Sequence, residues 1–322
     1  MTYTRIVGTG RYLPERIMTN FELEKIVDTS DEWIRTRTGV ERRHVVSEDQ
    51  TTSDMCVEAA KVAIEDAGVD VFEIDLVITG TTSPDLIFPN VSTLIQHRLG
   101  IPACTAFSLE AACTGFIYAL TLADKFIRLG EAKCALVIGA ECITKLMDWS
   151  DRNTCVLFGD GAGAVIVKPS DEPGILSCHL GADGQYKELL YYPVGASKQL
   201  EKAGTDEAAI TMTGSEVFKV AVKTLGGIAA ETLDKAGVDK TDLDWLIPHQ
   251  ANIRIIQATA KRLELPMEKV ILTVQDHGNT SAASVPMALD VGIRDGRVQK
   301  GQLVLMEAFG GGFTWGSVLM RL

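Results

Sequence analysis

A chain of 322 residues, 46% hydrophobic and 23% charged, has material for a buried core in two domains or one large one. Its formal charge of −12 argues against nucleic acid or an anionic membrane as a general partner, so any acidic partner would need a local basic patch. No apolar run is long enough to span a bilayer and MTYTRIVGTGRYLP lacks the apolar core of a signal peptide, so a cytoplasmic location is expected.

In chain order, the strand-like IDLVITG is followed by a helical pattern near Val91–Leu99, the strand-like TAFSLEA, a second helix after Cys113, and the strand-like CALVIGAE. Alternation of this kind predicts βαβ units on a largely parallel sheet covered on both faces. Residues 169–213, with Pro173, Gly174, Pro193 and Gly195, read as surface loops and an edge. The order then repeats. AIEDAGVDVFEIDLVITG is echoed by TLDKAGVDKTDLDWLIPH, LGIP by LELP, RLGEAKCALVIGAE by RDGRVQKGQLVLMEAF, and FGDGAGAVIV by FGGGFTWGSVLM. Two similar halves, 1–170 and 171–322, predict an α/β fold of five layers, α-β-α-β-α. The alignment of FSLEAACTGF with VQDHGNTSAAS sets Cys113 and Asn279 at one structural position, so that the centre of a pseudo-two-fold fold would unite them.

The seven cysteines form no CxxC pair and their number is odd, which argues against a disulfide framework or a zinc ribbon. Cys56, Cys104, Cys134, Cys142, Cys155 and Cys178 read as small buried hydrophobes. Cys113 differs: it follows a strand, opens a helix and has Ala111, Ala112 and Gly115 around it, so a substrate has room and the helix dipole favours thiolate. His249, in DWLIPHQAN, sits at a strand end before a helix, where parallel sheets bind ligands. Asn279 in HGNTSAAS lies in a similar turn, with His277 as support for that turn; alone, Asn279 would be an ordinary helix cap. The run Phe309–Gly312 lets backbone N–H groups approach a ligand, as an oxyanion hole requires, and both it and Gly159–Gly163 read as hairpins. Neither is a phosphate loop, since no Lys-Ser/Thr follows.

Together TSDEWIRTRTG, AACTGF, DRNTCVLFGDGAGA, PHQANIRI, HGNTSAASVP and EAFGGGFTWGS resemble the thiolase-type condensing enzymes, specifically β-ketoacyl-acyl-carrier-protein synthase III, across essentially the whole chain. The resemblance implies an acyltransferase of fatty acid synthesis that condenses an acyl-CoA primer, foremost acetyl-CoA, with malonyl-acyl carrier protein through acyl-Cys113. It implies Cys113 as nucleophile and His249 and Asn279 as donors to the malonyl carbonyl. The Cys113 and Gly311 N–H groups would form the oxyanion hole, with Phe309 near the departing carboxylate. Trp33 and Arg152, with Arg37 beside them, correspond to the adenine sandwich of coenzyme A, and Asn252 and Ser215 to the pantetheine path. Phe88 corresponds to a residue entering a partner subunit's acyl pocket, hence a homodimer. Ser108 stands where several relatives carry aspartate. No metal or bound organic cofactor is implied, because coenzyme A arrives as substrate.

An acidic carrier protein needs a basic face. Helical spacing sets Arg254 and Lys261 on one side with Arg262 adjacent, and Lys219 and Lys223 one turn apart on a second helix. The competing readings are a secondary-metabolite relative (polyketide or quinolone) with another primer, a papain-like Cys-His-Asn protease, and a non-catalytic acyl-CoA-binding protein. Primer choice would depend on the space near Phe88, Leu146 and Met212.

Overall fold

The computed structural model describes residues 2–203, 205 and 207–322. All strands of the first sheet come from the first half: β1 (Tyr3–Tyr12), β2 (Leu76–Gly80), β3 (Thr105–Leu109), β4 (Ala135–Glu141) and β5 (Gly161–Ser170), in the spatial order β1-β5-β4-β2-β3. β2 runs parallel to both β3 and β4, while β5 is antiparallel to β1 and β4. The second sheet takes β6 (Ile175–Ala182), β7 (Trp245–Pro248), β8 (Leu303–Gly310) and β9 (Thr314–Arg321) in the order β7-β8-β9-β6, with β7 and β8 parallel. The position that would match β3 is reduced to one parallel bridge, Leu246 to Val270, where Ile271 N–H donates to the Leu246 carbonyl at 3.0 Å. The two sheets therefore share one strand order, as the sequence repeat predicts.

Each echoed AGVD marks the same event in both halves. Gly68 (φ 62°) ends helix α2 (Thr52–Ala67) and Gly237 (φ 65°) ends the long helix α5 (Gly214–Ala236), because only a residue without Cβ enters the left-handed region at little cost. Asp70 and Asp239 then cap the short turns that follow.

Two helices form the middle layer, α4 (Gly115–Leu129) and α7 (Ser284–Arg294). Phe116, Ile117, Leu120 and Ala123 of α4 and Val285, Ala288 and Leu289 of α7 pack against Ile78 and Val137 of one sheet and Val304, Met306 and Val318 of the other. Apolar contact on both sides explains why α4 carries little charge before its last turns. On the outer faces, α2 and α3 (Val91–Arg98) cover the first sheet. α5 covers the second, with α6 (Ile253–Arg262) packed beside it. This is the expected five-layer arrangement.

Local expectations changed in three places. Residues 169–213 are not wholly irregular, since β5 and β6 supply regular strand at their start. Gly159–Gly163 is no hairpin: Gly161 and Gly163 lie inside β5, and a Cβ at Gly163 would stand 2.7 Å from the Met287 nitrogen of α7, so these glycines admit the central helix. Finally, Cys104 is only half-buried, whereas Cys56, Cys134, Cys142, Cys155 and Cys178 are buried.

Glu307 of β8 is fully buried, and neither carboxylate oxygen has a hydrogen-bond partner among the described residues. Burial pushes its carboxyl up to about 8. The folded chain thus holds a proton that the unfolded chain releases above about 4.5, and stability declines as pH rises across that window, by at most about 1.4 kcal/mol per pH unit. Glu307→Gln removes the linkage, so the melting temperature of the variant relative to the parent should climb between pH 5 and pH 8. A pH-independent difference in thermal melts would contradict this account.

Candidate active site

Between β3 and α4 the chain makes a tight turn, Ala112–Thr114, entered by Ala112 with φ 45°. In the second half a matching turn, Ser281–Ala283, is entered by Ser281 with φ 49° and leads into α7. The alignment of the two turns corrects the expected correspondence. Ala282, not Asn279, is the counterpart of Cys113, and Asn279 lies three residues upstream in the same loop. The turns are pressed together. A Cβ at Gly139 would meet the Ala282 carbonyl oxygen at 2.2 Å, and one at Gly115 would meet the Ala282 Cβ at 3.3 Å.

Segment 279–284 touches every expected catalytic side chain. Ser281 Oγ lies 3.4 Å from Cys113 Sγ, and the Ser281 N–H donates to Asn279 Oδ1 at 2.9 Å. With Oδ1 engaged, the Asn279 amide keeps its N–H₂ for a ligand. Its backbone is fixed from the first half, since Asn279 N–H donates to Leu157 O at 2.8 Å and Asn279 O accepts from Gly159 N–H at 3.1 Å. Ser284 Oγ lies 2.6 Å from His249 Nδ1 and accepts from Gln250 N–H at 3.4 Å. A Ser284 hydroxyl that donates to Nδ1 makes Nδ1 the acceptor and leaves the ring proton on Nε2, the tautomer that presents a donor.

His249 follows β7, with its N–H donating to Glu307 O at 2.8 Å. Gln250, fully buried, donates through Nε2 to the Pro248 and Ile271 carbonyls and accepts through Oε1 from the Thr273 and Val274 N–H groups. One amide therefore clamps the His249 loop to the segment leading to Asn279.

Electrostatically the site is dry. Burial lowers His249 to about 3, so its imidazole is neutral. Burial lifts the Cys113 thiol to about 12, against the pull of Ser281 Oγ–H. The helix position, expected to favour thiolate, acts against this desolvation. His277 is buried as well and lowered to about 4, chiefly by desolvation.

The glycine run lies against Cys113. A Cβ at Gly310 would stand 2.6 Å from the Cys113 nitrogen and 3.0 Å from Ala112 Cβ. Phe309 is buried against Phe313, ring centroids 4.6 Å apart. Beside Cys113 opens a cavity of about 440 Å³ lined by Ile143, Leu146, Phe158, Leu190, Ile210 and Gly311, among others. Leu146 lines it; Met212 pairs with lining Leu190 in a two-stranded ribbon; His249, Asn279 and Phe88 are not lining residues. Phe88 is 83% exposed on a loop with Leu86 and Ile87, also exposed.

Trp33, on helix α1 (Asp31–Thr38), has the Arg152 guanidinium 5.0 Å and that of Arg37 5.9 Å from its ring centroid. Arg152 is held there by the Asp28 carbonyl at 2.8 Å. Asn252 caps α6 through Arg254 N–H, and Ile253 packs against Gly39 at the end of α1, which brings this helix end beside the Trp33 helix. Ser215 is exposed in the first turn of α5. Arg254 stacks on Phe218 at 5.6 Å, Lys219 pairs with Glu216 at 2.8 Å, Arg262 lies across Gly226, and Lys223 and Lys261 are exposed. Among the described residues, no group of three or more His, Cys, Asp or Glu could hold a metal ion.

Two family models match, 3-oxoacyl-[acyl-carrier-protein] synthase III over residues 107–184 and its C-terminal region over residues 233–322. A protein of Xanthomonas campestris pv. campestris named beta-ketoacyl-[acyl-carrier-protein] synthase III is 61% identical over 319 residues, 99% of this chain and 98% of its own length. The chain belongs to the β-ketoacyl-[acyl-carrier-protein] synthase III family. It is accordingly an acyltransferase of the condensing type, with the thiolase-like fold. The crystal structure of 3-oxoacyl-[acyl-carrier-protein] synthase III from Aquifex aeolicus VF5 superposes with a TM-score of 0.93 at 48% identity, covering 99% of this chain and all of that one. The priming β-ketosynthase of the R1128 polyketide pathway superposes at 0.95 with 39% identity, covering 99% of this chain and 96% of that one.

Sequence reading passed over Ser281 and Ser284, took Gln250 only as a polar neighbour of His249, and passed over Glu141. HGNTSAAS and PHQAN contain the first three, but small polar residues at a turn read as caps until their distant partners are known. The glycines supply a test. Gly310→Ala, whose Cβ meets backbone, should slow acylation of Cys113 at least tenfold, whereas Gly311→Ala, whose nearest neighbour is Leu190 O at 3.0 Å, should cost far less. Equal rates for the two in an intact-mass acylation assay would remove Gly310 from the account.

Proposed function

We propose that this chain is the initiating condensing enzyme of type II fatty acid synthesis, with Cys113 taking the acyl group of a primer thioester, foremost acetyl-CoA, and malonyl-acyl carrier protein extending it. The observation that carries the reading is the single segment 279–284, which contacts the thiol of Cys113, carries the amide of Asn279 and orients the imidazole of His249. A thioester carbonyl calls for a soft nucleophile, and decarboxylation of malonyl thioester calls for donors at the enolate oxygen. Neutral His249 with its proton on Nε2 and Asn279 with a free N–H₂ are two such donors. The N–H groups of Cys113 and Gly311 stabilise the tetrahedral oxyanion, and Phe309 borders the departing carboxylate. Carbon dioxide, coenzyme A and a 3-oxoacyl carrier protein leave.

In the same reading, coenzyme A enters past Trp33, Arg37 and Arg152, and its pantetheine arm passes Asn252 and Ser215 towards the cavity. Exposed Phe88 enters the acyl pocket of a second copy of the chain, so the enzyme works as a homodimer. Lys219, Lys223, Arg254, Lys261 and Arg262 receive the acidic carrier protein. The catalytic halves are residues 1–170 and 171–322, and the enzyme acts in the cytoplasm; among the described residues no helix is long and apolar enough to cross a membrane.

Mixing with acetyl-CoA should add one acetyl group, mapped to Cys113, absent from Cys113→Ala and discharged by malonyl carrier protein. An adduct only with longer, branched or aromatic acyl-CoAs would favour a secondary-metabolite primer, and no adduct with any would end the enzyme reading. Charge reversal at Arg254 and Lys261 should raise KM for malonyl carrier protein at low salt while leaving acetylation by acetyl-CoA intact. An unchanged KM would remove this face from docking.

A further inference from the structure

Nothing in the catalytic trio accepts the proton that Cys113 must lose. As a donor through Nε2, His249 accepts from Ser284 at Nδ1, and burial disfavours a second ring proton. Asn279 has no basic atom. Among the described residues, the side chain in hydrogen-bond contact with Cys113 Sγ is Ser281, at 3.4 Å. Ser281 Oγ in turn lies 3.3 Å from Oε1 of Glu141, the last residue of β4.

Glu141 is fully buried. Donors from one loop surround its carboxylate: Thr82 N–H at 3.1 Å, Thr82 Oγ1 at 2.8 Å, Ser83 Oγ at 2.6 Å and Thr81 Oγ1 at 3.4 Å. No lysine or arginine among the described residues pairs with it. While Cys113 keeps its proton, the one Ser281 hydroxyl proton goes to the Glu141 carboxylate and a Ser281 lone pair faces S–H; once thiolate forms, the same hydroxyl donates to sulfur, the contact that lowers the thiol. The order is S–H to O–H to carboxylate.

We propose that Ser281 and Glu141 form a proton relay for the acylation of Cys113. The Cys113 S–H bond breaks as Ser281 Oγ takes its proton, and the original Ser281 proton passes to Glu141, leaving thiolate and a neutral carboxyl group. The thiolate adds to the acyl-CoA carbonyl. Collapse of the tetrahedral adduct expels coenzyme A thiolate, which receives the proton back from Glu141 through Ser281 and leaves as free thiol. Charge and protons balance with no outside base. The inference rests on Cys113 being the acylated nucleophile, as proposed above. Ser281 touches the reacting atom; Glu141 acts through it and is a positioning residue.

Burial lifts Glu141 to about 7 while its Ser83, Thr82 and Ser281 donors oppose the rise. The titratable groups that feel its charge are the thiols of Cys56, Cys113 and Cys142. A relay ending on this carboxylate works when the group is ionised, so thiol reactivity should rise with pH up to about 7 and then level. Without it, reactivity should keep rising towards the thiol's own value of about 12.

The test measures Cys113 alkylation by iodoacetamide and acylation by acetyl-CoA from pH 5 to 10, for the parent, Glu141→Gln and Ser281→Ala. Iodoacetamide needs no acyl-transfer function, so its profile judges the relay even if acetylation fails. The parent should level near pH 7, and both variants should react roughly a hundredfold more slowly at pH 7.5 and show no plateau. Malonyl thioester decarboxylation should fall by less than acylation. Ser281→Ala keeps Glu141 bound by Thr82 and Ser83, so it reports even if Glu141→Gln folds poorly. Profiles that coincide with the parent's in either folded variant, or equal losses in acylation and decarboxylation, would overturn the relay.

Discussion

The fusion of two half-sites depends on one contact, the packing of turn 281–283 against turn 112–114 at the centre of the molecule. Both turns enter through a left-handed residue, both begin a central helix, and Gly115 and Gly139 have no Cβ to hold them apart. Each half alone carries an incomplete set, Cys113 and Glu141 in one and His249 and Asn279 in the other. Close packing of the turns brings Ser281 to the thiol, and the same rigid helix start puts Ser284 under His249. Interiors packed at crystal-like density transmit such placements with little slack.

Burial then decides the chemistry. A neutral imidazole, a protonated thiol and a carboxyl near neutrality all follow from desolvation. A protease-like relay needs a histidine that accepts a proton, and this one is both desolvated and committed at Nδ1. The same dryness would strengthen hydrogen bonds to the enolate of the proposed decarboxylation, so the site favours donation over general-base work at His249. The thiol cannot rely on the helix dipole alone, because the dipole's modest contribution is smaller than the cost of a buried thiolate.

Much of this is legible in the amino-acid sequence. Continuous apolar strands, paired AGVD turns and echoed loops gave the layer order, and the small residues around Cys113 and the glycine run pointed to segments that the fold brings together. What escaped has a physical cause. The expected equivalence of Cys113 and Asn279 missed by three residues, because the turn register is carried by backbone torsions at Ala112 and Ser281 that neither residue type advertises. Gly161 and Gly163 looked like a hairpin because glycine serves turns and close helix contact alike. The roles of Ser281, Gln250 and Glu141 lie in contacts between residues up to 168 positions apart, which local pattern cannot register.

The coenzyme entrance proposed at Trp33 would carry a mechanical constraint. Arg152 rests on the Trp33 ring at 5.0 Å, while a purine held between two flat groups needs about 7 Å between their planes, two van der Waals contacts. The guanidinium must therefore retract before the ring can enter. Among the described residues, the Asp28 carbonyl and one weak ion pair, 4.0 Å to an exposed Asp28 carboxylate, hold it from the other side. An exposed cation–π contact is worth about 0.5–1 kcal/mol, and the incoming purine re-creates a stack on each of its faces, so opening costs little and is recovered on binding. On the proposed route the slot is thus closed by the group that would then grip the ligand, and Trp33 would stay covered in both states.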